Sequence, residues 1–170
     1  YNTATGLEAL YSNTTGDYNT ASGLQALFEN TTGQSNTANG LQALYNNTTG
    51  DHNTATGLKA LYNNTTGDQN TASGYRAGYS NSTGSGNVFI GYQAGYNETG
   101  SNKLYIANGS GNGDRLIYGD FSTGDMTIGN GSGTIDFSAS QVNFNGGQIH
   151  ARQMWVGRER VVTTSYVDGA

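Results

Sequence analysis

The chain has 170 residues and a formal net charge of −5; only 34% of it is hydrophobic, and Gly, Asn, Thr and Ser together make up about half. It contains no Cys, which excludes a disulfide scaffold, a thiolate zinc site and a thiol nucleophile, and it has no apolar run of the roughly 18 residues that a membrane helix needs. Seven Lys and Arg against twelve Asp and Glu argue against binding nucleic acid through its phosphates.

The chain opens on Tyr1 rather than Met, which points to a piece of a longer protein. From Asn2 onward one phrase repeats: Asn2-Thr3-Ala4-Thr5-Gly6-Leu7-Glu8-Ala9-Leu10-Tyr11, followed by Asn13-Thr14-Thr15-Gly16. It restarts at Asn19, Asn36, Asn53 and Asn70, each 17 residues on. A sixth copy begins at Asn87 and reads as two residues shorter, because the next Asn-led segment starts at Asn102. A fixed period implies stacked units that contact mainly their neighbours. Seventeen residues are too few for a helical hairpin but suit one coil of a β-solenoid.

Each coil is expected to hold two short strands and two tight turns. Asn-Thr-Thr-Gly at Asn13, Asn30, Asn47 and Asn64, and Asn-Ser-Thr-Gly at Asn81, supply turn chemistry. Leu-x-Ala-Leu-Tyr is too short for a helix and is read as a strand. The residue after each Gly-Leu or Gly-Tyr pair is Glu8, Gln25, Gln42, Lys59 or Arg76, a mixture that places it in solvent. Ala9 and Leu10 and their equivalents then face an inner layer. Such a layer is thin, and association of chains with cyclic symmetry would remedy that. Coils stacked about 4.8 Å apart would form Asn and Thr ladders and a rod roughly 30 Å long.

The character changes at Asn102. Lys103–Ile106, Arg115–Gly119, Met126–Gly129, Thr134–Phe137, Gln141–Phe144, Gln148–His150 and Met154–Gly157 read as short strands with Gly turns, winding about a three-fold axis. Residues 163–170 read as the start of a capped helix. The expected organisation is a β-roll repeat region at 1–101, a short-strand fibre region at 102–160 and a connecting segment at 161–170.

The Asn-Thr-Ala-x-Gly phrase with its Asn-Thr-Thr-Gly turn is similar to the repeats of phage tail-fibre-like proteins. It also resembles a longer form of the Asn-Ser-x-Ala-Ile-Gly repeat of trimeric autotransporter adhesin heads, most closely at Asn87-Val88-Phe89-Ile90-Gly91. Asn102–Asn108, Leu116–Phe121 and Thr164-Ser165-Tyr166-Val167-Asp168 resemble segments of phage fibres. The resemblance implies an all-β, intertwined homotrimeric fibre on a virion tail, outside the cell. It implies partners among other tail or fibre proteins and a host surface glycan or protein. A bacterial trimeric adhesin head is the alternative. An ice-binding solenoid is a third reading, from Thr3-Ala4-Thr5 and Thr54-Ala55-Thr56.

Candidate chemistry is sparse. His52 sits at a variable turn position, and His150 on a Gly-rich stretch. Asp17, Asp51 and Asp68 follow the turn Gly and would stack into an acidic line broken by Gln34; like charges at that spacing need a counterion such as Ca2+ or separation. The chain lacks the Gly-Gly-x-Gly-x-Asp repeat of calcium β-rolls, so no cofactor is expected. Asp114, Asp120, Asp125 and Asp136 show no spacing that ties them into a carboxylate pair, so no enzyme is expected. The Asn13 and Asn30 sequons are accounted for by turns. Tyr11, Phe28, Tyr45, Tyr62, Tyr79 and Tyr96 share one repeat position; as an exposed ladder they would stack on sugar rings, although packing between coils or chains is the plainer expectation.

Overall fold

A computed structural model describes residues 1–129 and two further strands, Met154–Val156 and Glu159–Val161. The chain divides into two units, Tyr1–Ile135 and Asp136–Ala170. In the second, the two strands pair antiparallel, Trp155 opposite Arg160. The strands expected at 134–137, 141–144 and 148–150, the helix start at 163–170, and His150 and Asp136 lie outside the described residues.

The first unit is a β-solenoid. Its strands are β1 (Thr3–Thr5), β2 (Thr20–Ser22), β3 (Thr37–Asn39), β4 (Thr54–Thr56), β5 (Thr71–Ser73), β6 (Val88–Ile90), β7 (Lys103–Ala107), β8 (Arg115–Asp120) and β9 (Asp125–Ile128). They form one sheet in sequence order. From β1 to β7 neighbours are parallel, and from β1 to β6 each residue pairs with the one 17 positions on, as in Ala38 with Ala55. The expected 17-residue coil is therefore present.

Each coil holds one strand rather than two. Leu-x-Ala-Leu is not extended, because its second and fourth residues take left-handed backbone angles: φ is 58° at Glu8 and 56° at Leu10, and later coils repeat this. The alternation curls the chain around the core, yet the peptide groups still point along the axis. Leu10 N–H donates to the Ala26 carbonyl at 3.0 Å, and Gln25 N–H to the Leu7 carbonyl at 2.9 Å. Ladder hydrogen bonding thus persists without a strand, and the conformation, at about 1–2 kcal/mol per left-handed residue, is over-determined by its neighbours.

The core is as thin as the composition implies. Ala21, Ala38, Ala55 and Ala72 point inward from the strands. Ala26, Ala43, Ala60, Ala77 and Ala94 and Leu27, Leu44 and Leu61 meet them and are fully buried. Close approach of the backbones is obligatory. At Gly40 a Cβ would lie 2.6 Å from the Gly57 carbonyl oxygen, and φ is 142°, so only glycine fits.

Two ranks of buried asparagine complete the interior. In one, Asn36 N–H donates to Asn19 Oδ1 at 2.9 Å while Asn36 Nδ2 donates to the Gly50 carbonyl at 2.7 Å. In the other, Asn47 Nδ2 donates to Asn30 Oδ1 at 2.8 Å and to the same Gly50 carbonyl at 2.9 Å. One glycine carbonyl therefore receives both asparagines of its coil and ties the start of the coil to its last turn. The same pattern recurs from Asn2 with Asn13 to Asn70 with Asn81.

The last coils exchange volume. Gly78 and Gly95 replace the inner Leu, and Phe89 replaces the strand Ala, opposite Ala72. A Cβ on Gly78 would lie 2.5 Å from Phe89 Cδ2 and one on Gly95 2.2 Å from Cδ1, so the phenyl ring fills the space that two leucines vacate.

The sixth coil is shorter by one residue, not two. Val88 pairs with Leu104, an offset of 16, and Lys103 N–H donates to Asn87 Oδ1 at 2.8 Å. Lys103 thus stands at the asparagine position, while Asn102, with φ 60°, matches Tyr18 and His52 at the left-handed turn position. The lost residue comes from the turn, where Glu98-Thr99-Gly100 replaces Asn81-Ser82-Thr83-Gly84. Glu98 Oε1 accepts the N–H groups of Thr99 and Gly100. Beyond it the strands expected at 103–106, 115–119 and 126–129 are present and pair with one another within the chain, β7 antiparallel to β8 and β8 to β9, with the 108–113 loop closing on a short 3-10 turn, Asn112–Asp114. Tyr105 covers Phe89, and Tyr118 meets Tyr105 edge-on at 5.0 Å.

Two stability predictions follow from this packing. Asn47→Leu leaves Asn30 Oδ1 without its donor and takes one of two partners from both the Gly50 carbonyl and Asn64 Nδ2, and should lower the unfolding free energy by about 1–3 kcal/mol in urea titrations. Phe89→Ala alone should lower it by about 3–5 kcal/mol. Adding Gly78→Leu and Gly95→Leu should recover more than about 1 kcal/mol of that loss, a coupling read from the complete mutant cycle.

Candidate functional site

The surface of the solenoid is a set of side-chain ranks, each repeated once per coil. The strands contribute two of them. Thr3, Thr20, Thr37, Thr54 and Thr71 form one exposed rank; Thr5, Ser22, Asn39, Thr56 and Ser73 form the other, with the inward Ala between them.

The aromatic rank expected from the period is continuous. Tyr11, Phe28, Tyr45, Tyr62, Tyr79 and Tyr96 stack face to face, with centroids 4.9–5.3 Å apart and planes within 12° of parallel. Packing between coils is thus realised: interior rings have their faces covered by their neighbours and offer edges and hydroxyls to a ligand. Burial, and the phenols of Tyr45 and Tyr79, push the Tyr62 hydroxyl up from its ordinary value. Cations lie beside this stack. Lys59 Nζ is 5.1 Å from the Tyr62 ring, and the Arg76 guanidinium lies between Tyr75 at 5.1 Å and Tyr79 at 5.6 Å.

Next to it runs the variable rank. Gln25 Nε2 donates to Glu8 Oε2 at 2.7 Å, and Gln42 Nε2 to Gln25 Oε1 at 2.8 Å. Glu8 is exposed and the other members are half-buried, so the rank is only partly in solvent.

Beyond it lies an apolar rank that sequence reasoning missed: Leu7, Leu24, Leu41, Leu58, Tyr75 and Tyr92. Leu24, Leu41 and Leu58 are 38–39% exposed, whereas Leu27, Leu44 and Leu61, three positions on, are 0% exposed. Gly-Leu-x-Ala-Leu makes the two leucines look equivalent. The late copies distinguish them, because the outer Leu grows to Tyr75 and Tyr92 while the inner one shrinks to Gly78 and Gly95.

The remaining candidates have local partners. Asp51 Oδ1 accepts the Gln34 N–H at 2.6 Å and Asp68 Oδ1 the Asp51 N–H at 2.7 Å, while Asp17 accepts from the Tyr1 ammonium at 3.2 Å. The acidic line therefore caps backbone groups of the preceding coil. Asp114 accepts from Gly111 N–H, Asp120 pairs with Lys103 and Ser122, and Asp125 accepts from the Thr123 hydroxyl. Among the described residues no group of three or more His, Asp or Glu is placed to hold a metal ion, and no helix is long and apolar enough to cross a membrane. His52 is exposed at its turn, with φ 58°. Asn30, a sequon residue, is buried in the asparagine ladder.

At the far end Tyr105 donates to Glu98 Oε2 at 2.5 Å. Burial raises the Glu98 carboxyl, but the hydrogen bonds from Tyr105, Gly100 and Thr99 outweigh it and hold the group below the ordinary value. Lys103, with Ser122, holds Asp120 down to about 2. Both depressed groups stabilise the fold above the unfolded carboxylate pKa of about 4 and lose that contribution as pH falls toward the folded values. The thermal midpoint should therefore drop between pH about 4.5 and about 2, and Glu98→Gln with Asp120→Asn should flatten that drop in calorimetry. Compared with known proteins, the chain matches no family model, no curated protein and no solved structure.

Proposed function

We propose that this chain is a structural and adhesive segment of a homotrimeric fibre of the phage tail-fibre kind, placed on the virion tail outside the cell. Its partners in this reading are two further copies of itself, neighbouring tail or fibre proteins, and a host surface glycan or protein. It carries no catalytic step and no cofactor, and the three copies intertwine. A bacterial trimeric adhesin head is the alternative, with the same physics on a different particle. The observation that carries the reading is the apolar rank that runs along all six coils, exposed at Leu7, Leu24, Leu41, Leu58 and Tyr92 and half-buried at Tyr75, outside a core built mainly from Ala and Leu. A chain with a thin core and a continuous outer apolar line gains by associating. Three copies then multiply any weak glycan contact without new chemistry. The edges of the aromatic rank, with Lys59 and Arg76 beside them, are where such a contact would fall.

The exposed threonine rank favours a second reading, an ice-binding face. The mixed second rank, with Asn39 and two serines, speaks against it.

Light scattering after size exclusion tests the fibre reading. The expected mass is close to three times 17.8 kDa. A folded monomer overturns it, and thermal hysteresis from such a monomer would select the ice-binding face.

A further inference from the structure

We propose that Leu7, Leu24, Leu41, Leu58, Tyr75 and Tyr92 form the seam through which the solenoid packs against further copies of this chain. The inference rests on the homotrimeric reading and names the surface that makes it work.

Three observations lead to this rank rather than another. It stays apolar in all six coils, while the rank beside it runs Glu8, Gln25, Gln42, Lys59, Arg76, Gln93. Apolar identity kept beside such variation, within one chain, means that the outer Leu position meets something less polar than water. Its interior members are half covered by their own coil, so little side-chain freedom is left to lose when a partner covers the rest. The strand ranks, by contrast, carry exposed hydroxyl and amide groups, which are compatible with water and need no partner to cover them.

The period selects the occupant. A partner that meets every member of this rank must present contacts at the coil spacing, about 4.8 Å, over six successive positions. A second copy of the chain carries that spacing by construction, whereas an irregular protein surface does not. Charge permits the approach. The chain carries a formal net charge of −5, yet the neighbouring rank holds one acid against two bases. Lys59 is folded over Tyr62 in the aromatic rank, and the Arg76 guanidinium lies over Tyr75, so a cation borders the seam at its fifth coil while the leucine coils carry none over their own rank.

The experiment compares three proteins by light scattering, with circular dichroism to confirm the fold. The wild type is expected at three times 17.8 kDa. Leu41→Lys with Leu58→Lys is expected to remain folded and to fall to the monomer mass. Thr37→Lys with Thr54→Lys, which adds the same charge on the hydroxyl face, is expected to keep the wild-type mass. A folded seam variant that stays trimeric overturns the seam and leaves the homotrimer standing. A monomeric wild type overturns the homotrimer and the seam with it. If the lysine pair unfolds the chain, Leu41→Ser with Leu58→Ser carries the test: a rise of tenfold or more in the dissociation constant supports the seam, and an unchanged constant overturns it.

Discussion

Every coil of this solenoid depends on one hydrogen-bonding arrangement, the glycine carbonyl that receives two buried asparagine amides. At Gly50 both Asn36 and Asn47 donate to the same oxygen, which fixes the distance between the start of a coil and its closing turn. The same asparagines reach along the axis to the neighbouring coil, so closure within a coil and registry between coils come from the same side chains. A buried amide left unpaired costs about 1–3 kcal/mol, and here each is paired, which lets an interior of Ala and a single Leu per coil hold together. Polar ladders take the place that a larger apolar core holds in other folds.

That arrangement also dictates the backbone. The coils must approach within hydrogen-bonding distance around the whole circuit, not only along the strand. Alternate left-handed residues at Glu8 and Leu10 turn the chain inward while keeping its peptide groups axial. Small residues follow from the closeness, and Phe89 is accommodated only because Gly78 and Gly95 give way to it. Where the turn loses a residue, Glu98 takes up the N–H groups of Thr99 and Gly100, the asparagine ladder ends, and pairing changes from parallel to antiparallel.

Much of this was legible in the residues. The period located the coils, Asn-Thr-Thr-Gly located the closing turns, and the Ala and second Leu of Leu-x-Ala-Leu face the interior as their repetition implies. Leu-x-Ala-Leu was misread as a strand because nothing in a leucine announces a positive φ; the surrounding hydrogen bonds impose it. The sixth coil was misjudged because Asn102 imitates the leading asparagine while Lys103 occupies its place. The aromatic rank followed from the period, but its face-to-face stacking depends on ring orientation, which a repeat pattern does not encode. The outer leucine rank looks like the inner one in the first four copies, and only the divergence of Tyr75 from Gly78 and of Tyr92 from Gly95 separates them.

The junctions between interior coils are nearly interchangeable, since each joins an Asn pair and a Gly to their counterparts 17 residues away. Tandem gain or loss of a 17-residue segment would therefore leave both ends of the solenoid unaltered and change only its length. Rod length becomes a quantised, heritable variable, adjustable by recombination between near-identical stretches of the gene. Each step alters every surface rank by one residue at once, so reach and valency change together rather than separately.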